Sequence, residues 1–242
     1  LLAGQGMIDI TGKPLASMYF MQIVWGLRKE PFIGVRPLNH AKEAPTTGAW
    51  QFTNAIDSWS WQGYEGEKAV VEVYANSASV RLLLNGKEIA NKPVKKYKTL
   101  FKLPYQPGTL TAEALDERGN VISSHSLTTA GEETVLRVTP DKMVLCANNQ
   151  ALCYLPIEFT DKAGNLKPYM EQRVEVAVAG AATLAGFGSA LCKTNEVFDK
   201  PYHHSYRGRC LAVLRAGSTP GKAKVTVTSA GMEPVTIEVE VQ

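Results

Sequence analysis

Trp59-Ser60-Trp61-Gln62-Gly63-Tyr64-Glu65-Gly66-Glu67 runs into Lys68-Ala69-Val70-Val71-Glu72-Val73-Tyr74. Trp59 and Trp61 stand two apart, the spacing that places both indoles on one face of an extended strand. Gly63 and Gly66 supply turns, and a strand begins at Lys68. Aromatic pair, two turns and strand together mark the entrance to a β-domain.

Working outward toward the C-terminus, short strands follow at regular spacing. Residues 79–84 alternate, with Val80, Leu82 and Leu84 on one face, and Asn85-Gly86 is a type I′ hairpin signal. Strands are predicted at 98–103, 109–115 and 121–127, separated by Pro107-Gly108 and Arg118-Gly119-Asn120. This is the strand count of a small antiparallel sandwich. The pattern pauses near Thr129-Ala130-Gly131-Glu132 and begins again, with strands predicted at 135–139, 152–160, 173–178, 211–215, 222–228 and 235–241. In the last of these Ile237, Val239 and Val241 alternate with Glu238 and Glu240. Residues 186–209 are the least regular and read as long loops. The division reads as residues 1–30, then a first sandwich over 31–132 and a second over 133–242, of one architectural kind but without a residue-level repeat.

Upstream, Leu15 to Leu27 reads as a helix, with Pro14 suited to its first turn and Arg28 and Lys29 to its last. It is apolar nearly all round, so it needs cover on several sides. The strands that follow belong to other units, so the helix expects a partner from a larger body of which this chain is a piece. Between helix and first sandwich, Pro31, Pro37, Pro45 and Gly48 punctuate an extended linker packed against something.

The chain has 242 residues, enough for two domains with separate cores. A net charge of +3 with both signs interspersed lacks the basic stripe of a nucleic-acid binder. No apolar run reaches the roughly 18 residues of a membrane span, and Leu1-Leu2-Ala3-Gly4-Gln5-Gly6 has no signal-peptide character. Cys146, Cys153, Cys192 and Cys210 form no Cys-x-x-Cys pair and have no His at ligand spacing. They read as buried free thiols, with a disulfide open to an exported protein. Asp141, Asp161 and Asp199 stand singly, without the converging oxygens calcium requires. No cofactor or metal is expected.

Hydrolysis by a carboxylate pair needs two carboxyl groups placed about 5 Å apart. Asn195-Glu196 is the one Asn-Glu pair, and it has no placed second carboxylate, so it reads as a surface or loop-ordering residue. His203-His204 would point to opposite faces of an extended segment and so could not chelate one ion. His40 and His125 are isolated. The binding candidates are Trp50, Trp59, Trp61 and Tyr64, because flat aromatic faces stack on the apolar faces of sugars. The competing reading is core or inter-domain packing, which large aromatics adopt by default.

Several strings, in order, resemble family 2 glycoside hydrolases, and within them bacterial β-galactosidases of the Bacteroidetes type. Gly6-Met7-Ile8-Asp9-Ile10-Thr11-Gly12-Lys13-Pro14 with Tyr19 and Val24-Trp25-Gly26 is similar to the loop and final helix of the family's barrel. Trp59 through Lys87, Pro104-Tyr105-Gln106-Pro107-Gly108 and Thr128-Thr129-Ala130-Gly131 resemble the domain that follows. Asp161-Lys162-Ala163-Gly164-Asn165, Leu184 to Gly188 and Tyr206 to Leu211 resemble the family's final immunoglobulin-like module. Where the family commonly has Gly-x-Gly-Asn-Gly, this chain has Gly186-Phe187-Gly188-Ser189-Ala190. The resemblance implies a mainly β chain: two tandem immunoglobulin-like β-sandwich domains preceded by a short helical remnant of a (β/α)8 barrel. It implies a parent that hydrolyses terminal β-galactosides through two barrel glutamates absent from this chain. It further implies the catalytic barrel as partner, a possible oligosaccharide ligand, possible homo-oligomers, and a periplasmic or extracellular setting. A carbohydrate-binding module and a structural or adhesive tandem sandwich are the rival readings.

Overall fold

The computed structural model of the chain describes residues 6–41, 48 and 50–242. Leu1 to Gln5 and Pro45, read above from the sequence, lie outside the described residues. The chain divides into two units between Thr129 and Ala130.

The first unit opens with α1, Ala16–Val24, shorter than the residue pattern predicts. Gly26 takes φ +70° two residues beyond it, a left-handed turn that stops a helix. Arg28 and Lys29 therefore lie past the last turn, and Pro14 bridges back to Ile8 instead of entering the first turn. The stretch read as an extended linker holds a strand of its own. β1 (Phe32–Val35) is fully buried and pairs antiparallel with β2 (Lys68–Tyr74). The prolines flanking it, Pro31 and Pro37, suggested irregular chain, but the five residues between them contain no proline and have an open sheet edge to join.

β2 pairs in turn with β5 (Lys98–Pro104), giving a three-stranded sheet. The facing sheet runs β4-β3-β6-β7, from β3 (Ser79–Leu84), β4 (Lys87–Pro93), β6 (Thr109–Leu115) and β7 (Val121–Thr128). Asn85 and Gly86 both take positive φ, 52° and 77°, as the type I′ hairpin requires. Val80, Leu82, Val71, Val73, Phe101 and Ala112 meet between the sheets, all at most 1% exposed. Each large aliphatic side chain buried there contributes about 1.5–3 kcal/mol.

The second unit is a larger sandwich. One sheet is β12-β14-β10-β8, formed by β8 (Val135–Val138), β10 (Leu152–Thr160), β12 (Ala182–Gly188) and β14 (Arg209–Ala216). The other is β13-β11-β15-β16-β9, from β9 (Val144–Leu145), β11 (Arg173–Gly180), β13 (Tyr202–His204), β15 (Gly221–Ser229) and β16 (Val235–Val241). All pairings are antiparallel except β9 with β16. β12 and β13 occupy part of the stretch read as loops, because Gly186 and Gly188 hid the pattern. Gly188 has a packing reason: a Cβ there would stand 2.3 Å from Cδ1 of Phe198. Gly188→Ala is expected to displace that ring and cost about 1–3 kcal/mol, the usual range for overpacking. Urea unfolding followed by circular dichroism would measure it.

Candidate functional site

The four aromatic candidates do not form one surface. No strand forms over residues 59–61, and Trp59, Ser60 and Trp61 are all buried, so the alternation predicted from their spacing is absent. Both indoles are 0% exposed and belong to the first sandwich's core. Trp59 Nε1 donates to the Gln106 carbonyl at 3.0 Å, and its ring meets Tyr105 edge-on at 4.9 Å. The Tyr105 hydroxyl accepts from Trp61 N–H at 3.0 Å, while Thr129 Oγ1 donates to the Trp59 carbonyl at 2.6 Å. Tyr64 is half-buried against the same cluster. Trp50 alone of the four is exposed, at 57%. The packing alternative thus describes Trp59 and Trp61: neither has a free face to offer a sugar.

The densest polar cluster in the first unit centres on Glu72, which sequence reasoning passed over. Its carboxylate is fully buried. Oε1 accepts from Arg36 Nε at 2.8 Å and Thr53 Oγ1 at 3.0 Å. Oε2 accepts from Tyr74 OH at 2.8 Å and lies 2.6 Å from Lys98 Nζ. Burial pushes the carboxyl up, but the hydrogen bonds and charge of Lys98, Tyr74 and Arg36 outweigh it and hold it below its ordinary value. Burial and the neighbouring carboxylate push the Tyr74 phenol up. Every oxygen is satisfied by a donor already in place, so the cluster ties linker, β2 and β5 together and has no proton to give a substrate.

Glu196 and the two histidines are brought together. His204 donates its backbone N–H to Glu196 at 3.1 Å and places Nδ1 at 2.8 Å, while His203 Nδ1 stands 3.3 Å from the other oxygen. The expectation that the histidines diverge holds for exposure, since His203 is buried and His204 exposed, yet one carboxylate reaches both. Glu196 thereby orders the chain between β12 and β13. Its carboxylate is held by the two histidines, and its backbone N–H donates to Thr194 Oγ1 at 3.0 Å. Among the described residues no group of three or more His, Cys, Asp or Glu could hold a metal ion, and no helix is long and apolar enough to cross a membrane. The cysteines are free, but only Cys153 and Cys210 are buried; Cys146 is exposed and Cys192 half-buried. Burial pushes the Cys153 thiol up to about 11, which makes it inert.

Comparison with known proteins places both sandwiches beside a known family. Glycoside hydrolase family 2 C-terminal domain 5 matches residues 136–238, and a domain of unknown function (DUF4982) matches residues 66–123. Beta-galactosidase BoGH2A of Bacteroides ovatus is 27% identical over 240 residues, covering 98% of this chain and 25% of that protein. A glycosyl hydrolase family 2 member from Bacteroides cellulosilyticus superposes with a TM-score of 0.86 at 27% identity, over 98% of this chain and 32% of that one. A β-glucuronidase of the same family has a TM-score of 0.79 at 19% identity, over 98% of this chain and 22% of that one, a likeness of fold alone. The chain thus spans about a quarter to a third of the relatives it matches. The second sandwich matches the family 2 C-terminal domain, and the two sandwiches with the helix before them are together similar to the C-terminal region of glycoside hydrolase family 2 members.

Proposed function

We propose that this chain serves as the accessory region of a retaining β-galactosidase, bracing a catalytic barrel that carries the two glutamates and cleaves terminal β-galactosides. The observation that carries this reading is the collinear similarity to beta-galactosidase BoGH2A over 98% of the chain. The β-glucuronidase likeness, being one of fold, does not compete for the sugar. Apolar surface around the helix supports a barrel as partner. Ile8 and Ile10 before it and Trp25 and Leu27 after it are 51%, 46%, 56% and 73% exposed, and large apolar groups left in water are a mark of an interaction surface. Within α1 itself, Ala16 and Ile23 pack against Phe32, Ala55 and Tyr74.

Two measurements test the reading. Hydrolysis of chromogenic β-galactosides and β-glucuronides should be absent for this chain alone and present, for the galactosides, in an enzyme that joins it to a barrel. Turnover by the chain alone would overturn the accessory role, and preference for glucuronides would overturn the sugar. Leu27→Asp should change the stability of the chain itself by less than about 0.5 kcal/mol, as exposed substitutions do. The same change should lower the melting temperature of the joined enzyme, read by calorimetry.

A further inference from the structure

Beside α1 in the first unit lies an open groove of about 500 Å³, within the usual size range of small-ligand sites. Its floor is apolar: Phe20 from α1, Phe52 from the linker and Leu100 from β5. Phe20 and Phe52 meet edge-on at 5.1 Å, and Phe52 keeps 36% of its surface exposed. Its rim is cationic, from Lys95, Lys96 and Lys98. Lys98 is anchored by Glu72 and stands 5.8 Å from the Phe52 ring centroid. Lys95 and Lys96 pair with no carboxylate among the described residues. Residues 89–112 hold five lysines and no acid, so nothing local in sequence neutralises them.

The turn that presents these lysines is held in an unfavourable shape. Lys95 and Lys98 exchange backbone hydrogen bonds at 3.2 and 3.1 Å, closing a two-residue hairpin whose central residues, Lys96 and Tyr97, take φ 50° and 63°. Asn-Gly would adopt that turn with less strain. Tyr97 is retained by packing against the helix cluster, but no contact of that kind explains a lysine at 96. Strain kept where a side chain faces a groove points to a ligand.

We propose that this groove binds an anionic saccharide, with the apolar face of a pyranose on Phe52 and its carboxylate or sulfate between Lys95 and Lys96. A neutral sugar needs acceptors as well as donors around its hydroxyls. The rim offers ammonium donors, and the Thr99 hydroxyl beside them donates to the Pro93 carbonyl. A ring with one flat C–H face and one negative charge satisfies both parts of the groove. The site stands on the geometry of the first sandwich and does not depend on the galactosidase reading.

Saturation-transfer NMR on the full 242-residue chain tests it, with a digalacturonate, galactose 6-sulfate, neutral lactose and a hexaglutamate peptide as probes. One or both anionic sugars should receive saturation, and lactose should bind at least roughly tenfold more weakly. Response to digalacturonate alone identifies a carboxylate as the anion, and response to galactose 6-sulfate alone identifies a sulfate; either supports the site. Raised salt should weaken the signal, since the rim charges are exposed. Lys95→Gln with Lys96→Gln, and separately Phe52→Ala, should each reduce binding roughly tenfold, while the double lysine variant keeps the parent melting temperature. Equal binding of lactose, binding of no sugar, or binding of the peptide without the sugars would overturn the proposal. The last of these would mark the groove as a seat for an acidic protein segment.

Discussion

Glu72→Ala is expected to destabilise the first unit by about 2–4 kcal/mol, because it removes the acceptor of four donors and leaves two cations facing each other. Arg36 and Lys98 are 43% and 28% exposed at the side chain, so both can turn partly to water, which keeps the cost below that of an orphaned buried charge. Thr53 and Tyr74 cannot, and each keeps a buried hydroxyl without its acceptor. Glu72→Gln should cost less than alanine, since one carbonyl oxygen survives to accept from Arg36 and Thr53. All four tryptophans, at 25, 50, 59 and 61, precede Thr129. Urea unfolding followed by tryptophan fluorescence therefore reports on this unit without interference from the second. A loss under 1 kcal/mol in the alanine variant would show that the cluster is decoration on a stable sandwich.

The same carboxylate gives the unit an acid limit. Its folded value lies below its ordinary 4.5, so the unfolded chain takes up the proton first as pH falls. The stabilisation is complete above about 4.5 and is lost as pH drops through the depressed folded value. Between pH 7 and pH 3 the parent's urea midpoint should fall more steeply than that of Glu72→Gln, whose side chain does not titrate. Parallel slopes would mean that other carboxylates set the acid response.

Alternation made most strands legible. Residues 79–84, 109–115, 152–160 and 235–241 are strands with the predicted bounds, because one polar face on a half-buried strand is a local property. The misses are positions where the environment is supplied from far away. Lys68–Tyr74 places Ala69, Val71 and Val73 in the core, and Glu72 should then face water. It does not, because the linker lays Thr53 and Arg36 over that face of the sheet, residues 19 and 36 places distant. A glutamate reads as a solvent marker until its partners are known, and nothing in the spacing names them. β1 was hidden by its flanking prolines and β12 by its glycines, since turn-forming residues also serve strands that end or pack tightly. The lysine-rimmed groove was illegible for a related reason: Phe20, Phe52 and Lys95 come from a helix, a linker and a hairpin. The lysine run itself was in plain view, but only the fold sets it against an aromatic floor.

Trp59 and Trp61 should separate under conservative change, although they are equally buried. Trp59→Ala is expected to cost about 3–5 kcal/mol, the range for truncating a buried tryptophan. Trp59→Phe should cost about 1–3 kcal/mol, because it also strips the Gln106 carbonyl of its indole donor. Trp61 Nε1 is buried with no acceptor among the described residues, so Trp61→Phe discards a donor that is already unpaired. Its loss should be limited to the volume removed and should be smaller than that of Trp59→Phe by about 1 kcal/mol. Fluorescence-detected urea midpoints of the two phenylalanine variants compare them directly, since each keeps three tryptophans. If both variants instead kept the parent midpoint, the indoles would not be anchoring the sandwich, and their burial would have to be relieved in solution. A sugar-stacking role for the pair would then regain a physical basis. Equal losses above 3 kcal/mol would mean that Trp61 has an acceptor in solution, and the difference between the two sites would vanish.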